Sequence, residues 1–85
     1  MTPRQYLLSL GRPHVTYPEI AKALGLEYPA FHWRLQRLPD AEKPENHGAF
    51  KAGGLHIFVL DSGIAWTERH VRYWAERQSA RGRSE

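Results

Sequence analysis

"TYPEIAKALGLEYPAFHWRLQRL", residues 16–38, decides how this chain is read. It contains two Tyr-Pro pairs, Tyr17-Pro18 and Tyr28-Pro29, each between a polar residue and an apolar stretch. Proline lacks a backbone N–H and has a φ already suited to a helix, so it fits the first turn, where that N–H has no partner to lose. Thr16 with Glu19 three residues later makes a capping box, in which each side chain satisfies the other's free backbone N–H. Ile20, Ala21 and Leu24 then form a buried stripe, and Gly25 supplies a left-handed stop. Glu27 takes the second cap position, where its charge suits the helix dipole. Phe31, Leu35 and Leu38 follow at i, i+4 and i+7 on one apolar face, and Pro39 closes the helix. Two short helices begin, one at each Tyr-Pro, with a sharp turn between them.

This pattern resembles the helix-turn-helix of bacterial, phage and plasmid transcriptional regulators. Ala21 falls where the two helices cross, Gly25 and Leu26 make the turn, and Phe31 and Leu35 anchor the second helix. The match covers residues 16–38, about a quarter of the chain. A preceding helix and a following hairpin extend the resemblance to winged-helix domains over roughly 1–60. It implies a mainly α fold with a small β-hairpin, a winged-helix-like domain with an additional C-terminal helix. In such domains the second helix lies in the major groove and its outward half reads base edges.

The resemblance places Pro29, Trp33 and Gln36 opposite the core, flanked by His32 and Arg37. Gln pairs bidentately with adenine and Arg with guanine. Arg34, nearer the core boundary, suits phosphate, and Tyr28 and Thr16 at the two helix starts are backbone contacts. Lys51 sits at the hairpin tip. Pro29 and Trp33 depart from the usual pattern. Trp33 either meets DNA, against a thymine methyl or a sugar, or is covered by the hairpin.

Outside the motif, Thr2-Pro3 opens a first helix with Tyr6, Leu7 and Leu10 on one face, ended by Gly11. Residues 12–15, "RPHV", read as a connector, and 39–49 as a polar loop. "AFKAGGLHIFVL" is a hairpin over about 48–60. Its second strand carries Leu55, Ile57 and Val59 on one face and His56, Phe58 and Leu60 on the other, so both faces are expected to be covered. Asp61-Ser62-Gly63 is expected to turn the chain into a C-terminal helix within 61–78, running from about Thr67 to Gln78. Val71, Trp74, Ala75 and Gln78 share one of its faces, and Glu68 and Arg72 form an i,i+4 pair on the other. That layout is similar to the dimerisation helices of small repressors. Leu55, Ile57, Val59, Val71 and Trp74 are the candidate dimer surface, and 79–85 a basic, flexible tail.

Composition narrows the functions. At 85 residues there is room for one modest core, and three Trp, three Phe and four Tyr help to fill it. The chain contains no Cys, which excludes disulfides and thiolate metal sites. His14, His32, His47, His56 and His70 include no i,i+3 or i,i+4 pair, so no metal is expected. Asp61, Ser62 and His70 lack a nucleophile elbow, so no enzyme activity, cofactor or small-molecule ligand is expected. No apolar run reaches a membrane span or a signal-peptide core, and the cytoplasm is the expected location. Net charge is +3, and nine of the twelve basic residues are Arg. A basic excess of this kind attracts phosphate backbones. The expected function is a sequence-specific double-stranded-DNA-binding regulator, a homodimeric repressor that occludes a promoter. The alternative is a protein-interaction module, such as a mobile-element inhibitor, on the same scaffold.

Overall fold

The computed structural model describes residues 1–83, with side chains through Gln78. The elements run α1 (Pro3–Ser9), β1 (His14–Thr16), α2 (Tyr17–Ala23), α3 (Tyr28–Gln36), β2 (Phe50–Ala52), β3 (Leu55–Val59) and α4 (Leu60–Arg83). The fold is mainly helical, with a small antiparallel sheet in the order β1-β3-β2. Among the described residues no helix is long and apolar enough to cross a membrane.

The capping signals act as their chemistry requires. Thr2 caps α1 in a box with Gln5, and Thr16 caps α2 in a box with Glu19. At the end of α2, Gly25 has φ 73, the Leu26 N–H reaches the Ala21 carbonyl at 2.9 Å, and the Gly25 N–H reaches that of Lys22 at 3.0 Å. This is a Schellman stop, and it turns the chain directly into α3. Glu27 caps α3 without a side-chain hydrogen bond, so its contribution is the dipole term alone.

Tyr17, Ile20 and Ala21 of α2, Phe31 of α3 and Leu38 beyond it meet Leu7, Val15, Phe58, Ile64 and Trp66 in one core. Ala21 is fully buried, small enough to let its helix approach its neighbours.

Four expectations are corrected. The connector "RPHV" contains half of β1: Val15 pairs with Phe58 and His14 with Val59, partners more than forty positions away in sequence. A three-residue strand has too little alternation to announce itself, and its pairing is entirely non-local. The loop 39–49 holds two 3-10 turns, Asp40–Glu42 and Pro44–His47, with Pro44 buried.

Asp61-Ser62-Gly63 does not turn the chain; it is the first turn of α4, which follows β3 directly and begins seven residues earlier than expected. The helix also continues to Arg83, so helical backbone replaces the expected tail over residues 79–83; residues 84–85 lie outside the described residues. Finally, Glu68 is taken not by Arg72 but by Arg4 of α1, whose guanidinium donates to both carboxylate oxygens at 2.8 and 3.0 Å.

Gly63 explains why a glycine belongs inside this helix. A Cβ there would stand 2.4 Å from Val15 Cγ2 and 3.2 Å from Phe58 Cβ. The helix crosses the sheet at this point with no room for a methyl group. Gly63→Ala gains about 1 kcal/mol in helix propensity but loses about 1–3 kcal/mol to overpacking against a stiff β-branched neighbour. A lower urea midpoint is expected, partly recovered when Val15→Ala is added. A more stable Gly63→Ala variant would contradict the packing.

The sheet has one covered face. Strand partners share a face, so Phe50, Ala52, Leu55, Ile57, Val59, His14 and Thr16 lie on one side and Phe58, Val15, His56 and Lys51 on the other. Phe58 and Val15 are fully buried, whereas Leu55 is 59% and Val59 48% exposed. The expectation that both faces of β3 are covered therefore fails within this chain.

Candidate nucleic-acid interface

The second helix of the motif, α3, buries Phe31 and turns its opposite side outward. Tyr28, Pro29, His32, Trp33, Gln36 and Arg37 are all exposed, and Arg34 is half-buried. Tyr28, Pro29, His32, Trp33 and Gln36 line one shallow, largely apolar groove along the helix. Trp33 is not covered by the hairpin; it is 54% exposed. The Arg37 guanidinium lies over its ring, 3.7 Å from the centroid. One turn earlier, Tyr28 and His32 meet edge to face at 6.2 Å. Both are i,i+4 pairs, the spacing at which helix side chains stack along one face.

The remaining candidates stand apart from this face. Thr16 is half-buried, and its hydroxyl donates to the Glu19 carboxylate at 3.1 Å, so it is engaged within its own cap. Lys51 is exposed on the edge strand β2, opposite His56. His56 stacks on Tyr17 at 5.2 Å and, with Tyr28, His32, Lys43 and Glu45, borders a second groove beside the start of α3. Burial first, and the nearby Glu45 charge second, hold the Tyr17 phenol above its ordinary pKa. Sequence reading missed Tyr17, Lys43, Glu45 and His56 as a cluster, because only the 3-10 turns bring the loop back against α3.

Of the proposed dimer residues, Leu55, Ile57 and Val59 share the open sheet face with Phe50. Val71 is also exposed, off the buried side of α4, which presents Ile64, Thr67 and His70. Trp74 belongs elsewhere. It is half-buried between Arg34 of α3, at 5.4 Å, and Arg77 of its own helix, at 5.8 Å. Arg77 also lies over Tyr73, an i,i+4 pair that the sequence could have announced.

Ion pairs separate the arginines. Arg4 is committed to Glu68, Arg12 to Glu19 and Arg69 to Glu42. Among the described residues no carboxylate pairs with Arg34 or Arg37. The unneutralised guanidinium charge therefore concentrates along and beside α3, where an anionic partner gains most from it.

Behind Arg34 sits His70, 3% exposed, stacked on Trp66 at 4.7 Å, with neither ring nitrogen hydrogen-bonded. Burial first, then the positive charge of Arg34, lower its pKa from 6.5 to about 4, against an opposing effect of Glu42. An unfolded chain takes up this proton near pH 6.5 and the folded chain does not. The stabilising effect of a neutral His70 is therefore complete above about pH 6.5 and is lost as pH falls towards 4, on the order of 3 kcal/mol. Thermal unfolding of His70→Leu is expected to be much less acid-sensitive over that window. An unchanged pH profile would mean that His70 is not the group responsible.

No protein-family model, curated protein or solved structure matches this chain.

Proposed function

We propose that this protein is a sequence-specific double-stranded-DNA-binding regulator. It reads the major groove with α3, the second helix of a winged-helix-like helix-turn-helix. The observation that carries this reading is the outward face of α3, where Gln36 and Arg37 stand exposed without a carboxylate partner beside the half-buried Arg34. Gln and Arg are the residue types whose paired donors and acceptors match adenine and guanine edges. The free charge of Arg34 suits the flanking phosphates.

Dimerisation belongs to the same proposal. The open sheet face of Phe50, Leu55, Ile57 and Val59 carries no formally charged side chain and is self-complementary to a second copy. A symmetric dimer presents two α3 helices to half-sites about one helical turn, roughly 10 bp, apart. Bound at a promoter in the cytoplasm, such a dimer represses by occlusion.

One observation favours a second reading. Tyr28, Pro29 and Trp33 make the groove on α3 more apolar than a DNA-reading helix requires, which suits a protein partner. Salt separates the two. Binding of a mixed-sequence duplex is expected to weaken with a log-log salt slope of roughly −3 or steeper, reflecting release of counterions from several phosphates. A protein-interaction module would show no measurable duplex affinity even at low salt.

A further inference from the structure

Packing does not account for Trp33. The core side of α3 is complete with Phe31 and Leu38, yet the indole is 54% exposed on the opposite side. What it does touch is Arg37, at 3.7 Å. Helix side chains lean towards the N-terminus, so a residue covers the position four before it. Arg37 is the C-cap of α3 and would otherwise stand at its far end. Folded over Trp33, its guanidinium is carried back about one turn, to the middle of the helix.

A guanidinium over an aromatic face is held by the ring quadrupole, and its N–H groups point outward in their own plane. That plane is a rigid fork matched to two adjacent acceptors. No carboxylate among the described residues claims it. Immobilising a long side chain in advance also removes part of the rotamer entropy that binding would otherwise lose.

We propose that Trp33 is a positioning residue: it holds the Arg37 guanidinium at mid-helix with its N–H edge presented to a guanine O6 and N7, and reads no base itself. This rests on the DNA reading above and gives it a specificity determinant. Trp33, the residue least suited to a groove, becomes the support for the residue best suited to it.

The test is a double-mutant cycle on a duplex enriched by wild-type protein from a random pool. Binding is followed by fluorescence anisotropy, and circular dichroism checks the fold of each variant. Arg37→Ala is expected to weaken binding by about tenfold to a hundredfold. Trp33→Ala is expected to lose most of that although the charge remains, with an unchanged salt slope, and the double variant to bind no worse than Arg37→Ala. Trp33→Phe, which keeps an aromatic platform, is expected to stay within a few-fold of wild type. Replacing the contacted guanine by 7-deazaguanine should weaken wild type and leave Arg37→Ala unaffected. Multiplying losses in the cycle, or equal sensitivity of Arg37→Ala to 7-deazaguanine, would overturn the positioning role while the DNA reading stands. A pool with no enriched sequence would remove the DNA reading, and this inference with it.

Discussion

Trp66→Ala is expected to leave the chain close to the edge of unfolding. Trp66 is 2% exposed and sits where the sheet, α3 and α4 converge. It stacks on Phe58 at 5.7 Å, meets Phe31 edge to face at 6.0 Å, and carries His70 on its ring. Its indole N–H donates to the Glu42 carbonyl at 3.0 Å, so it also fastens the 3-10 turns to the core. Truncating a buried Trp costs about 3–5 kcal/mol, and the Glu42 carbonyl loses its donor as well. A domain of this length has only about 4–13 kcal/mol in total, at the usual stability per residue. A large drop in urea midpoint is expected, with Trp66→Phe intermediate because it keeps the stacking and loses the hydrogen bond. A midpoint within error of wild type would show that the core does not converge on this residue.

The largest functional effect is expected from replacing Arg34, Gln36 and Arg37 together by alanine. Each bidentate base contact discriminates by about 1–3 kcal/mol, so losing Gln36 and Arg37 lowers affinity on the order of a hundredfold to ten-thousandfold. Arg34, in its phosphate role, adds a uniform loss on all sequences and reduces the salt slope by about one. Stability is expected to change little. Gln36 and Arg37 are exposed, and Arg34 contributes only its position over Trp74, worth about 1 kcal/mol. The decisive comparison is therefore affinity lost at nearly constant urea midpoint. Equal losses of both would mean that the three residues support the fold rather than read DNA.

What could be read in the sequence was local. Both capping boxes, the glycine stop at Gly25 and the apolar face of α3 depend on residues within one or two turns of each other, and each stands where the spacing places it. What could not be read was set by distant partners. β1 exists because Val15 meets Phe58, and Gly63 is helical because Val15 occupies the space a side chain would need. A glycine that normally punctuates a chain was here a packing device. The same division runs through the site. The outward face of α3 followed from the helix period, but the role of Trp33 did not, since residue type alone marked it as a misfit. Its i,i+4 relation to Arg37 was visible in the sequence; that the two are in contact, away from the hairpin, needed the fold.

The central claim is that α3 of a dimer reads a defined sequence. It is tested most directly by selecting duplexes from a random pool near physiological salt with the wild-type chain and the triple-alanine variant in parallel. The account predicts a palindromic consensus with half-sites about 10 bp apart, enriched by wild type and not by the variant. An unenriched pool, or the same consensus from both proteins, would contradict it.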